Sequence, residues 1–228
     1  MKKDFKLFCF GFGQVAQYFV QNLIKKKFKF QLITTNTKKT QIKNFKGINY
    51  KTYFFLNNQF DKKLLKDLNS SNKVLISIPP KDKIDIVLKT FNKNFKKNNF
   101  DWVVYLSATS VYGDHKGQWV DEKAKLKPTT KKGIARLFCE KNWLKYYKNF
   151  KLPVQIFRLS GIYSRERNLI KRLKEGRVKV VQKSNHYFSR IHVEDIAEVL
   201  TLSMKQNYPG EIFNISDDCP SSNEEITK

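Results

Sequence analysis

The chain has 228 residues, with 45 Lys+Arg against 20 Asp+Glu and a formal charge of +25. Apolar residues make up 40%, enough for a packed core, which argues against wholesale disorder, and no stretch approaches the ~18 uninterrupted apolar residues of a membrane-spanning helix. The charged opening Met1-Lys2-Lys3-Asp4 lacks a signal peptide's apolar run, and Cys9, Cys139 and Cys219 are too few and scattered for a disulfide framework or a zinc site, so the expectation is a cytoplasmic protein with no metal and no membrane association.

In chain order, Lys6–Phe10 is an apolar run of strand length that stops at Gly11. Tyr18, Phe19, Val20, Leu23 and Ile24 then recur at helical spacing, closed by Lys25-Lys26-Lys27, where cations suit a helix C-terminus. Phe30–Thr35 reads as a second strand, followed by a basic helix-like stretch and a third strand near Tyr50–Phe55. A helix is predicted over Asp61–Leu68, a buried strand over Val74–Ile78 stopped by Pro79-Pro80, and a helix over Ile84–Phe95. Trp102–Leu106 is the next strand, with a helix at about 133–148 and a strand at Val154–Phe157. Near-continuous apolar strands alternating with helices imply an α/β fold, a Rossmann-like doubly wound parallel sheet covered on both faces.

The charge invites a nucleic-acid reading. Only seven of the 45 basic residues are arginines, however, and phosphate and base recognition favour the arginine fork. Lys, Asn, Phe and Ile are all heavily used, as in chains encoded by A+T-rich genes. Nucleic acid is therefore not the expected partner; a small-molecule substrate is.

Gly11-x-Gly13-x-x-Ala16 follows strand one and opens helix one. Gly11 permits the tight turn, Gly13 lets the backbone approach a pyrophosphate, and Ala16 allows close helix–strand packing. The N–H groups of Gln14 and Val15 then offer positive potential to phosphates. Strand two ends in Thr34-Thr35-Asn36-Thr37-Lys38-Lys39, with no acid for a ribose 2′-hydroxyl. Thr35, Asn36 and Lys38 suit a 2′-phosphate better, which favours NADP with NAD as the other possibility. Residues 1–157 would form the NAD(P)-binding domain and 158–228 a short C-terminal substrate-side segment, partly interleaved with the sheet.

Four further segments carry a resemblance. Ser107-Ala108-Thr109-Ser110-Val111-Tyr112-Gly113, Phe157-Arg158-Leu159-Ser160-Gly161-Ile162-Tyr163, Arg190-Ile191-His192-Val193-Glu194-Asp195-Ile196-Ala197 and Phe213-Asn214-Ile215-Ser216-Asp217 follow one another in that order. Together with the glycine loop they resemble the extended or atypical short-chain dehydrogenase/reductases, the NAD(P)-dependent epimerase/dehydratase-like proteins. That resemblance implies an oxidoreductase or epimerase acting on a small carbonyl or nucleotide-sugar substrate. It also implies a catalytic Ser/Thr three residues before the Val of Val-Tyr-Gly, and a Tyr-x-x-x-Lys pair on the next helix.

All three positions depart from the pattern. They hold Ala108, Lys132 and Arg136, and no tyrosine lies between Tyr112 and Tyr146. Candidate substitutes are Ser107 or Thr109 for the hydroxyl, Lys132 as an acid if burial lowers its pKa, and Arg136 for the ribose hydroxyls. Ser107, Ile78 and Pro79 are also expected to touch the dinucleotide, and Tyr112, Tyr163 and Arg190 the substrate. Arg158 and Arg190 are each either an anion ligand or the partner of Glu194 or Asp195, and His192 reads as structural. Because of the three departures, a non-catalytic dinucleotide-binding or redox-sensing protein is the alternative. Ser221-Ser222-Asn223-Glu224-Glu225 resembles a helix capping box close to where the chain stops, as in a shortened member or a fragment.

Overall fold

The computed structural model describes residues 4–168, 174–176, 187–222 and 225. In order these form β1 (Phe5–Phe10), α1 (Gln14–Lys25), β2 (Phe30–Asn36), β3 (Gln41–Phe45), β4 (Ile48–Leu56), β5 (Gln59–Phe60), α2 (Leu64–Asn69), β6 (Lys73–Ile76), α3 (Ile86–Lys97) and β7 (Trp102–Ala108). A 3₁₀ turn at Thr109–Val111 leads to α4 (Lys131–Phe150), β8 (Val154–Leu159), β9 (Gly161–Tyr163), β10 (Tyr187–Phe188), β11 (Arg190–His192), α5 (Val193–Ser203), β12 (Ile212–Ile215) and β13 (Ser221–Ser222).

The central sheet runs β12-β8-β7-β6-β1-β2-β4-β3, with β5 also paired to β4, and every pair is parallel except β3–β4 and β4–β5. It is the doubly wound order, and the strand sequence reverses beside β1. β8 runs to Leu159, and β12 from the C-terminal segment adds a parallel edge strand to the sheet.

Both faces of the sheet are covered, so its strands are apolar on both sides. On β1, Phe8 and Phe10 point into a core completed by Leu64 and Leu68 of α2, Val87 and Phe91 of α3, and Trp143 of α4. Leu7 and Cys9 point the other way, into Ala16, Phe19 and Leu23 of α1 and Ile196 and Leu200 of α5. No helix among the described residues is long and apolar enough to cross a membrane.

One expected helix is absent. The stretch after β2 forms a β-hairpin, β3 against β4, in place of the basic helix. Lys46 and Gly47 both have positive φ (50° and 85°), the signature of a two-residue type I′ turn, and the Gly47 N–H donates to Asn44 Oδ1 at 3.3 Å. The capping box forms as expected. The Ser222 N–H donates to Glu225 Oε2 at 2.7 Å, and the Glu225 N–H to Ser222 Oγ at 3.1 Å.

Burial decides the thiol chemistry. Cys139 has its pKa pushed up to about 12 by desolvation, buried Cys9 is raised by the same cause, and Cys219 is exposed. Titration of the native protein with an aromatic disulfide at neutral pH is therefore expected to consume one thiol quickly, and three after denaturation. Three fast thiols in the native state would contradict this packing.

Candidate functional site

The glycine loop sits at the C-terminal end of β1, between β2 and β6, where the crevice of a doubly wound sheet opens. Gly11 turns the chain with φ of +83°, and a Cβ there would meet Ser77 Oγ at 2.9 Å and Ile78 Cγ1 at 3.2 Å. Its N–H donates to Thr35 Oγ1 at 2.9 Å, and Ser77 Oγ donates to the Phe10 carbonyl at 3.0 Å. The turn is thus tied to both neighbouring strands. Gly13 caps α1 with extended backbone, no side-chain cap and no acid in the helix's first turn, and nothing lies within 4 Å of where its Cβ would be. The first N–H groups of α1, including those of Gln14 and Val15, are left for an anion. Gly11, Gly13, Gln14, Val15, Ile78 and Pro79 all lie around this crevice, so the residues present fit the pyrophosphate of a dinucleotide.

Thr35 and Asn36 have other work. The Thr35 hydroxyl serves Gly11, and Asn36 Oδ1 accepts from the Lys38 and Lys39 N–H groups at 2.7 and 3.0 Å. Asn36 Nδ2 donates to Thr52 Oγ1 and the Lys39 carbonyl, both at 2.9 Å. These side chains shape the loop after β2 and leave the exposed Lys38 and Lys39 at its surface.

The residues after β7 differ most from expectation. Ser107 is buried, and its hydroxyl donates to Glu140 Oε1 at 2.5 Å. Successive side chains on a strand point to opposite faces, so Ser107 cannot replace Ala108 by a one-residue shift while β7 keeps its register with β8. Glu140, on the inner side of α4, is only 1% exposed and pairs with Arg158, equally buried, at 2.8 Å from Nη2 to Oε2 and 3.2 Å from Nε to each oxygen. Arg158 therefore belongs to Glu140, and not to Glu194, Asp195 or a ligand. Burial disfavours the guanidinium charge, but the Glu140 carboxylate outweighs it and holds the Arg158 pKa above its ordinary value.

The network continues outwards. Arg158 Nη1 donates to Tyr112 Oη at 2.8 Å, and Tyr112 in turn donates to Asn214 Oδ1 at 2.7 Å. Tyr112 is buried, with its ring 5.0 Å from the Arg158 guanidinium carbon, so the expected substrate contact is an interior brace. The Asn214 N–H donates to Glu122 Oε1 at 2.6 Å, which pins the segment between Gly113 and Thr130 over β12.

The remaining candidates are spread along the rim. Thr109 is half-buried at the start of the 3₁₀ turn. Lys132, in the first turn of α4, is exposed, so the burial that an acidic lysine needs is missing. Arg136 donates from Nη1 to the Leu106 carbonyl at 2.7 Å, which places it directly under β7 and leaves its other N–H groups available. Arg190 donates to the Phe188 carbonyl at 3.1 Å and to Ser221 Oγ at 2.7 Å, and burial holds its pKa below the ordinary value. Tyr163, partly exposed, packs on His192 with ring centroids 5.1 Å apart. His192 caps α5 and stands 3.9 Å from Glu194.

Comparison with known proteins agrees with this architecture. A dTDP-D-glucose 4,6-dehydratase of Dictyostelium discoideum is 26% identical over an alignment 157 positions long that covers 60% of this chain and 35% of that protein. The chain thus spans about a third of that relative's length. A conserved protein of unknown function from Silicibacter pomeroyi matches with a TM-score of 0.81 and 32% identity, covering 97% of this chain and 76% of the other. The NAD complex of UDP-glucuronic acid 4-epimerase from Bacillus cereus matches with a TM-score of 0.79 at 19% identity, covering 97% and 80%. The model of the NAD dependent epimerase/dehydratase family matches residues 86–216, more than half of the chain, and the protein belongs to that family.

Proposed function

We propose that the protein binds an NAD(P) dinucleotide in the crevice beside β1 and acts on a nucleotide-sugar or other small carbonyl compound through a non-standard catalytic set. The carrying observation is the uncapped N-terminus of α1 behind Gly13, where a Cβ would meet nothing within 4 Å. A bound nicotinamide would supply hydride acceptance and return. The chain's own contribution would be Arg136 holding ribose hydroxyls from beneath β7, with half-buried Thr109 and exposed Lys132 as the hydroxyl and the amine of the set.

Lys38 and Lys39 at the end of β2, with no acid between Asn36 and Thr40, support acceptance of a 2′-phosphate. Calorimetry is expected to give micromolar affinity for NADPH, at least equal to that for NADH. No heat with either nucleotide would sink the reading. NADH binding ten-fold tighter than NADPH would remove the lysine assignment alone.

A second reading, non-catalytic dinucleotide binding or redox sensing, is favoured by Ala108 and by the commitment of Ser107 to Glu140. Turnover of a nucleotide sugar by the unmodified chain, abolished by Lys132→Ala, would exclude it.

A further inference from the structure

Asp85 caps α3, and its carboxylate is fully used inside the protein. It accepts from the Val87 and Leu88 N–H groups at 2.9 and 3.0 Å and from Trp143 Nε1 at 2.7 Å. The bond to Trp143 ties α3 to α4. Beside this tie the two helices leave a groove of about 400 Å³.

The floor of the groove is apolar. Ile84, Leu88, Phe138 and Tyr146 line it, and Phe138 and Ile84 are 48% and 43% exposed. On α4, Phe138, Asn142, Tyr146 and Phe150 recur every four residues, so they share one face. The Phe150 ring centroid stands 5.3 Å from that of Tyr146, and the ring is 41% exposed, which carries the stripe one turn further. At ~1.5 Å per residue, Phe138 to Phe150 spans about 18 Å.

The rim is uniformly positive. α3 carries four lysines and no acid, and α4 carries five lysines and one acid, Glu140, which is buried against Arg158. Lys83, Lys89 and Lys145 border the groove, and all three are exposed. Lys96 Nζ lies 5.0 Å from the centre of the Phe150 ring and 6.0 Å from that of Tyr146, so charge is held against the aromatic stripe itself.

We propose that the α3–α4 groove is a docking site for an acidic amphipathic helix of another protein, about three turns long. The apolar side chains of that helix lie on Leu88, Phe138 and Tyr146, and its carboxylates meet Lys89, Lys96 and Lys145. A bilayer takes up apolar groups that protrude from a surface, whereas this floor lies between two ridges. A second copy of the same face is opposed by charge, since lysines would meet lysines with no exposed acid on either helix to relieve them. Nucleic acid is a poorer match as well: Arg136, the one arginine on the two helices, is turned inward to the Leu106 carbonyl.

The test is fluorescence anisotropy of the full chain with a labelled peptide of about 14 residues, helical, with leucine on one stripe and glutamate on both flanks. Micromolar binding at physiological salt is expected, weakened about ten-fold or more by Phe138→Asp and by Lys89→Glu/Lys145→Glu. The charge-reversed pair should in turn bind the same peptide with lysine in place of glutamate about ten-fold better than wild type does, a gain that misfolding cannot produce. No binding of the glutamate peptide by the wild type would refute the site. Equal binding of a scrambled peptide of the same composition would show that charge alone is read, and would refute it too. A single-stranded oligonucleotide or a phosphatidylserine vesicle bound more tightly than the peptide, and lost in Phe138→Asp, would overturn the helix in favour of that partner. A concentration-dependent dimer that Phe138→Asp converts to monomer would overturn it in favour of a second copy.

Discussion

Replacing Arg158 with leucine is expected to cost about 3–5 kcal/mol, because a fully buried carboxylate loses its cationic partner among the described residues. Glu140 would keep the Ser107 hydroxyl, Tyr112 would lose a donor, and the Glu122 carbonyl would lose its contact with Nη1. For a chain of this length the melting temperature should fall by roughly 6–20 °C. Lysine at 158 should rescue only a part, since it cannot bridge both carboxylate oxygens while reaching Tyr112. Removing both charges together, as Glu140→Leu/Arg158→Leu, should be far less harmful than the sum of the single changes. Urea denaturation of wild type, Glu140→Leu, Arg158→Leu and the double leucine variant measures the coupling. Strictly additive effects, within about 0.5 kcal/mol, would show that the pair does not act as a unit.

That ion pair explains why the fold was easier to read than the site. Strand and helix positions follow from local apolar patterns, and β1, α1, β6, β7, α4 and β8 all lie close to their expected positions. The β3–β4 hairpin escaped because β3 is an edge strand with little to bury: Ile42 is 75% exposed, and the Gln41-Ile42-Lys43-Asn44-Phe45 pattern shows no alternation. The usable signal was Lys46-Gly47 between two β-rich segments, a turn rather than a periodicity.

Glu140 was missed for a different reason. A salt bridge between a helix and a strand 18 residues later has no spacing rule. One trace of it was present. Glu140 is the sole acid among the lysines of α4, and it follows Cys139 and precedes Trp143 on the side that becomes buried. A lone carboxylate on the inner side of a lysine-rich helix needs an internal cation. Arg158 was the strand arginine able to supply it, and Tyr112, Asn214 and Ser107 then follow as the groups satisfying its remaining donors and acceptors.

Gly13→Ala separates structural from ligand-binding use of the glycine loop. Gly13 has φ of −82°, an ordinary value for any residue, and an added methyl group would find open space. The fold therefore does not require glycine at this position, and the stability of Gly13→Ala should stay within about 0.5 kcal/mol of wild type. Gly11 is the opposite case: its φ of +83° and the 2.9 Å approach to Ser77 Oγ make Gly11→Ala a folding defect. If a pyrophosphate lies against the Gly13 backbone, the same harmless methyl group occupies ligand volume. An overlap of that size costs about 1–3 kcal/mol, so NADH or NADPH should bind roughly ten- to a hundred-fold more weakly. Unchanged melting with lost affinity is the expected pair of results. Unchanged melting with unchanged affinity would mean that Gly13 serves no ligand and that the turn is no more than a connection between β1 and α1.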